Sequence, residues 1–343
     1  MKPETARAAQ DRILQAGRVV VVTHVAPDGD AFGSLFGMGQ ILGHMGKSDV
    51  TLACDDPVPE AYHFLALSGQ VVNRLEPVSP ADPFDLIITV DCSDAARGGQ
   101  TLKHAWMEST PLVNIDHHVT NTCFGVENLV DAEAAATTEV LYRLALSWDI
   151  AITAPLALAL LTGLVTDTLC FRTANVTPTV MRTAIELMQA GADLTLITSQ
   201  TVNRKPFEEI RYWGQLLSTA RLDGRVASVH ASAADRRDGG YGVEGDASIV
   251  AFLNTAWEAD IAASFVEKDN GEVEISLRAK PGYDVSRVAL NLGGGGHAAA
   301  AGCTLGGPLE PVMDRVLQML QATQERSTGN PPGQGPAGCG GGL

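Results

Sequence analysis

The sequence is short of aromatic residues, of basic residues and of paired cysteines, and each shortage excludes something. Phe, Trp and Tyr make up 5% of the 343 residues. That is too few for an extended platform on which a long single strand stacks base after base. Lys and Arg number 24 against 40 Asp and Glu, for a net charge of −16. A surface of that sign does not wrap long duplex nucleic acid by bulk electrostatics. It leaves room for a small anionic ligand, because bound divalent cations invert the local field. The six cysteines (Cys54, Cys92, Cys123, Cys170, Cys303, Cys339) lie far apart with no CxxC pair. That spacing fits reduced thiols better than a disulfide framework or a zinc site. The longest apolar stretch, Ala154–Val165, is too short to span a bilayer and leads into Asp167. The N-terminal MKPETARAAQDRILQAG has the pattern of an amphipathic helix, not of a signal peptide. A soluble cytoplasmic protein with no membrane partner is expected.

What is present is an ordinary globular composition, 45% hydrophobic and 19% charged, with length for about two domains. The chain is organised around Val19–Leu35, VVVVTHVAPDGDAFGSL. Consecutive valines read as a buried strand. His24, Asp28 and Asp30 follow on a tight loop, and Ala31–Met45 then reads as a helix with one apolar face, closed by Gly46. Two carboxylates this close repel each other unless a cation or a shared proton relieves them. The simpler alternative is that Asp30 caps the helix.

The same pattern recurs. Asp49–Cys54 reads as a strand and Pro59–Leu67 as a short helix. Phe84–Val90 is a continuous apolar run ending on Asp91, and Leu112–Ile115 ends on Asp116, His117 and His118. Helical patterns follow at Ala134–Ser147, Pro155–Asp167, Thr177–Ala190 and Leu194–Val202. Strands alternating with helices predict a doubly wound parallel sheet, whose C-terminal strand edge binds ligands. From Arg221 the pattern changes to alternating strands (Arg225–His230, Ile261–Val266, Val273–Arg278) with helices at Ala247–Thr255 and Val285–Leu292. The fold class expected is α/β, with a smaller second α/β domain built on a mixed sheet. The expected divisions are 1–190, a hinge over 191–220, 221–326, and a disordered Gly/Pro-rich tail over 327–343.

His24, Asp28, Asp30, Asp91, Asp116, His117, His118 and Asp167 form the candidate ligand set. Each alone is weak, because a strand-end Asp is often a cap. Their joint occurrence at successive sheet ends is not. Carboxylates mixed with imidazoles suit Mn²⁺, with Mg²⁺, Fe²⁺ or Co²⁺ as substitutes. The donors exceed one octahedral shell, so two ions about 3.5–4 Å apart are expected, an arrangement that supports in-line hydrolysis of a phosphate ester. In the second domain, Gly293–Gly296 followed by His297 lets backbone N–H groups approach a phosphate. Arg97, Arg172 and Lys280 are further cations, each more simply read as solvated.

THVAPDGDAFGS, ITVDCSD, the triplet Asp116-His117-His118 and LLTGLVTDT resemble the four motifs of the DHH phosphoesterase superfamily. The stretch SLRAK…DVSRVALNLGGGGHAAAAGC resembles its DHHA1 domain. The likeness covers nearly all of the chain except the tail, and its branch is similar to nano-RNase/pAp phosphatases and cyclic-di-AMP phosphodiesterases. It implies two Mn²⁺ per chain. His24, Asp28 and Asp91 would hold the first, and Asp30, Asp91, His117 and Asp167 the second, with Asp91 bridging. The resemblance makes His118 the catalytic imidazole outside the shell, touching the scissile phosphate, with Asp116 orienting the histidines. It makes Arg278, Gly294, Gly295, Gly296 and His297 substrate-binding residues. Ala279 stands where the family often has serine. The activity implied is hydrolysis of pApA-type dinucleotides and nano-RNA or short DNA by hydroxide attack, with cyclic di-AMP and pAp as further candidates. A homodimer is in keeping with the resemblance.

Three rivals stand beside this reading. A RecJ-like exonuclease on single-stranded DNA needs the basic, aromatic channel that composition argues against. An inorganic pyrophosphatase would share only the first domain. A non-catalytic nucleotide sensor should have lost ligands, and none is missing.

Overall fold

The computed structural model describes residues 3–79, 81–106, 110–239 and 245–328. The chain divides into two compact units, Met1–Arg204 and Lys205–Leu343.

In the N-terminal unit, helix α1 (Pro3–Gln15) precedes strand β1 (Arg18–Val22), helix α2 (Gly29–His44), and strands β2 (Asp49–Cys54), β3 (Val71–Asn73) and β4 (Leu86–Val90). Helix α3 (Gly99–Ala105), strands β5 (Leu112–Asp116) and β6 (Glu127–Val130), and helices α4 (Thr137–Ser147), α5 (Ala154–Asp167), α6 (Pro178–Gln189) and α7 (Leu194–Gln200) complete it. The six strands pair in parallel in the order β3-β2-β1-β4-β5-β6. The order reverses between β1 and β4, and in such sheets that crevice is where ligands sit. The valine run explains the central strand. Val19 and Val21 face the layer of α2, α4 and α5, while Val20 and Val22 face the layer containing α3. A strand buried on both faces needs apolar residues at every position.

Differences from expectation lie in the short elements. Between Pro59 and Leu67 only a 3-10 turn forms, Glu60–Tyr62, since Pro57 and Pro59 hold the chain extended before it. Strands β3 and β6 carry no continuous apolar run, as sheet edges need not.

In the C-terminal unit, helix α8 (Phe207–Ser218) leads to strands β7 (Arg221–Asp223) and β8 (Val226–Ala231), helices α9 (Ala233–Gly239) and α10 (Ile249–Leu253), and strands β9 (Ile261–Glu267) and β10 (Glu272–Ala279). Helix α11 (Ser286–Asn291), strands β11 (Gly295–His297) and β12 (Ala300–Gly306), and helix α12 (Leu309–Thr328) follow. The sheet order is β11-β12-β10-β9-β8-β7, mixed because β8 and β9 are parallel. Helix α12 includes Ser327 and Thr328, and the rest of the expected tail lies outside the described residues. Among the described residues no helix is long and apolar enough to cross a membrane, and the five described cysteines are free thiols.

Candidate metal centre

The C-terminal ends of β1, β4 and β5, the start of α2 and the end of α5 converge on one group of donors. His24 and Asp28 follow β1, Asp91 follows β4, His117 and His118 follow β5, Asp30 lies in the first turn of α2, and Asp167 closes α5. Their donor atoms form three overlapping sets, each within 4.8 Å: His24–Asp28–Asp91, Asp30–His117–Asp167, and Asp91–His117–His118. His24 Nε2 is 3.4 Å from Asp91 Oδ2, and His117 Nε2 is 3.9 Å from Asp91 Oδ1 and 3.6 Å from Asp167 Oδ2. Asp91 therefore adjoins both sides of the centre. Asp116 belongs to none of the three sets.

Helix α2 begins on Asp28, not on Asp30. Asp28 Oδ1 accepts the backbone N–H groups of Asp30 and Ala31, each at 3.0 Å, the usual work of an N-cap. Asp30 instead meets the start of α4. Its Oδ2 accepts the Thr137 N–H at 2.6 Å, and its Oδ1 accepts the Thr138 N–H at 3.1 Å and the Thr138 hydroxyl at 2.8 Å. A helix N-terminus favours an anion there. The close approach of α2 to α5 depends on Gly163, where a Cβ would lie 2.4 Å from Asp30 Oδ1. Asp91 sits at φ +60°, a left-handed conformation that Asp tolerates better than most residues. Its N–H donates to the Ile115 carbonyl at 3.0 Å, and its Oδ1 accepts the Thr137 hydroxyl at 2.7 Å.

The imidazoles are oriented by their second nitrogens. His24 Nδ1 lies 2.8 Å from the Val25 carbonyl and His117 Nδ1 lies 3.3 Å from the Ala134 carbonyl. Donation there leaves each Nε2 lone pair turned into the centre, the orientation a cation requires. His118 differs: its Nδ1 donates to Asp116 Oδ1 at 2.8 Å, and its side chain is 42% exposed. Arg97 brings a guanidinium to the same rim, with Nη2 3.1 Å from His24 Nδ1. Lys280 and Arg172 donate to the Ala256 and Leu169 carbonyls.

Burial, reinforced by the charges of Asp91, Asp167 and Asp28, drives the Asp30 pKa well above the usual carboxylate range. Burial and neighbouring carboxylates push Asp167 up to about 6, with His117 opposing. Burial alone would raise Asp91, but contacts with His24, His117 and Thr137 outweigh it and hold it low. Burial likewise opposes charging of His24, and Asp91 reverses that. The hydrogen bond to Asp116 pushes His118 up to about 9. Buried carboxylates resisting ionisation beside inward-facing imidazoles make a donor set that divalent cations satisfy.

The sequence did not single out Thr137, Thr138 or Asn121. The only signal was a pair of hydroxyl residues opening the α4 pattern after three alanines.

In the C-terminal unit, Arg278 on β10 registers with Ala300 on β12, which registers with His297 on β11. Register neighbours share a sheet face, so Arg278 and His297 flank a small residue there. Gly295 and Gly296 of the glycine run enter the edge strand β11 with His297. Gly296 has φ +135°, and a Cβ on it would lie 2.5 Å from the Ala300 carbonyl, so no other residue suits that position.

Comparison with known proteins decides the family. The family model for the DHH N-terminal domain matches residues 18–164, and the DHHA1 domain model matches residues 243–325. The chain is 33% identical to the bifunctional oligoribonuclease and PAP phosphatase of Thermus thermophilus, over 91% of each. The chain belongs to the DHH–DHHA1 family. The correspondingly named protein of Bacillus subtilis is 25% identical, covering 88% of this chain and 93% of that one. An exopolyphosphatase-related protein from Bacteroides fragilis shares the fold, with a TM-score of 0.84, 21% identity, and 95% and 98% coverage. DHH members are metal-dependent phosphoesterases, and this DHH–DHHA1 chain has acidic and histidine clusters for a metal.

Proposed function

We propose that the chain is a Mn²⁺-dependent phosphodiesterase that cleaves pApA-type dinucleotides and very short RNA to mononucleotides, with pAp as a monoester substrate. The observation that carries this is the pair of donor sets, His24–Asp28–Asp91 and Asp30–His117–Asp167, adjoined by Asp91. His24, Asp28 and Asp91 would hold one cation and Asp30, His117 and Asp167 the other. When bound, such a pair acidifies water and neutralises phosphoryl charge.

The chain's own groups do the rest. His118, donating through Nδ1 to Asp116, is left with Nε2 to donate to a phosphoryl oxygen where negative charge develops. Thr137 and Thr138 keep the Asp91 and Asp30 oxygens turned inward. Arg278 and His297, in one register row, with Gly294, Gly295 and Gly296, form the phosphate-recognition residues; the Gly294 N–H itself already donates to the Ala289 carbonyl at 2.8 Å, so Gly294 acts by leaving room for the ligand. The Thermus and Bacillus relatives are named for oligoribonuclease and PAP phosphatase activity, which supports this substrate class. The acidic net charge supports short substrates over long duplex.

The test is a side-by-side hydrolysis panel of pApA, cyclic di-AMP, pAp, a five-nucleotide RNA and a long single-stranded DNA. Purified protein is loaded in turn with Mn²⁺, Mg²⁺ and Co²⁺. Turnover of pApA and the short RNA with Mn²⁺ is expected. Binding of dinucleotide without turnover under every metal would mean a sensor, and degradation of long single-stranded DNA in preference to dinucleotide would mean an exonuclease.

A further inference from the structure

Beneath His118 runs a chain of hydrogen bonds that the roles above do not require. Thr89 on β4, and Asn114 and Asp116 on β5, are fully buried. Asn114 Nδ2 donates to the Thr89 hydroxyl oxygen at 2.9 Å and to the Cys92 carbonyl at 3.0 Å. Asn121 Nδ2, in the loop after the histidines, is 2.8 Å from Asn114 Oδ1, 3.0 Å from the Cys92 carbonyl and 2.6 Å from Asp116 Oδ2. Its own Oδ1 accepts the Cys123 N–H at 2.7 Å, which fixes the end of the amide that carries the oxygen. The other oxygen of Asp116 holds His118 Nδ1.

Fully buried polar side chains on the interior strands of a parallel sheet are costly unless every group is partnered. Closing the loop does not demand them. The Asn121 N–H already donates to the His118 carbonyl at 3.1 Å, and the Thr122 N–H donates to the Ser93 carbonyl at 2.8 Å. What the side chains add is a fixed plane for the Asp116 carboxylate. Without the Asn121 donor, Asp116 could rotate about its side-chain bond and release His118, whose ring is half exposed, meets His117 edge-on and has Nδ1 3.7 Å from Asp91 Oδ1, beyond hydrogen-bond distance.

We propose that Asn121 is the positioning residue for His118: through Asp116 it fixes the imidazole with Nε2 outward, and Asn114 and Thr89 anchor it from below. The proposal rests on the reading of His118 as the group that meets the scissile phosphate.

A double-mutant cycle on pApA turnover with Mn²⁺ tests it, comparing wild type, Asn121→Ala, His118→Ala and the double variant, with metal content and melting temperature measured for each. Asn121→Ala is expected to lower kcat about 10–100-fold with KM and metal content held, and to lower the melting temperature because the buried Asn114 and Asp116 oxygens lose a donor. The same change in the His118→Ala background is expected to cost almost nothing, because the group it positions is gone. Asn121→Leu keeps the side-chain volume and removes the donor without setting a second carboxylate beside Asp116, so it is expected to match Asn121→Ala in kcat even if the latter folds poorly. The hydrogen-bonded His118 Nδ1–H proton, seen at low field by NMR of the Mg²⁺-loaded protein, should be present in wild type and lost in both Asn121 variants. Equal losses in the two backgrounds, or survival of that proton signal, would overturn the proposal. If the wild type cleaves none of the panel substrates, the functional reading fails instead, and the NMR signal still decides whether Asn121 holds the pair.

Discussion

Replacing Gly163 with alanine should disable the centre without breaking the fold. Gly163 lies on α5 one turn before Asp167, facing α2. The added methyl would stand 2.4 Å from Asp30 Oδ1 and from Thr138 Cγ2, where ordinary contact begins at 3.4 Å. Either α5 or the Asp30 carboxylate must therefore move by about 1 Å, a displacement that can cost about 100-fold in rate when it separates reacting groups. Overpacking a tight helix pair costs about 1–3 kcal/mol, and alanine returns about 1 kcal/mol of helix propensity over glycine. The net destabilisation is then about 0–2 kcal/mol, which lowers the melting temperature of a unit this size by up to about 8 °C. Turnover and Mn²⁺ affinity should fall far more than that stability change accounts for. Calorimetric titration of Mn²⁺ into the metal-free variant, beside a thermal melt, separates the two effects. A Gly163→Ala protein with wild-type Mn²⁺ affinity and wild-type turnover would refute the claim that the α2–α5 approach sets the carboxylate geometry.

Asp28 serves as helix cap and candidate ligand at once, and two substitutions separate the roles. Asp28→Asn keeps the cap and should retain stability while losing Mn²⁺, whereas Asp28→Ala should lose Mn²⁺ and about 1 kcal/mol as well; equal melting temperatures for the two would contradict the cap. Thr138→Val removes a hydroxyl donor to Asp30 at 2.8 Å and should weaken Mn²⁺ binding by about 10-fold, read by titration. The metal-free protein should melt at progressively lower temperature as pH rises. Asp167, lifted from 3.8 to about 6, holds its proton more tightly when folded, so that stability is lost as pH rises between those values. His118, lifted from 6.5 to about 9, contributes stability fully present below 6.5 and lost as pH rises through 9. Calorimetry in a chelating buffer that found the melting temperature flat or rising over that span would contradict both assignments.

The architecture was legible where burial is total. A strand of the sheet interior is largely apolar on both faces, so Val19–Val22, Phe84–Val90 and Leu112–Ile115 read as strands, which the fold sets at Arg18–Val22, Leu86–Val90 and Leu112–Asp116, with acids and histidines following their ends. Edge elements left no such trace. Val71–Asn73 and Gly295–His297 are set by pairing with a neighbour, and a single sequence does not display that. The candidate ligands could be collected in advance because charged residues after apolar runs are conspicuous. The residues that aim them were not. Thr137, Thr138 and Asn121 look like ordinary surface-compatible polar residues until the fold brings α4 against Asp30 and the post-β5 loop against Asp116. The roles of Asp28 and Asp30 show the same limit: both precede one helix, and only their geometry shows which caps it.

The central claim is that a pair of divalent cations sits side by side on this donor set. Anomalous diffraction from crystals of the Mn²⁺-loaded protein measures it directly. Two anomalous peaks are expected, one within coordination reach of His24, Asp28 and Asp91, and the other of Asp30, His117 and Asp167. A single peak, or Mn²⁺ bound away from Asp91, would contradict it.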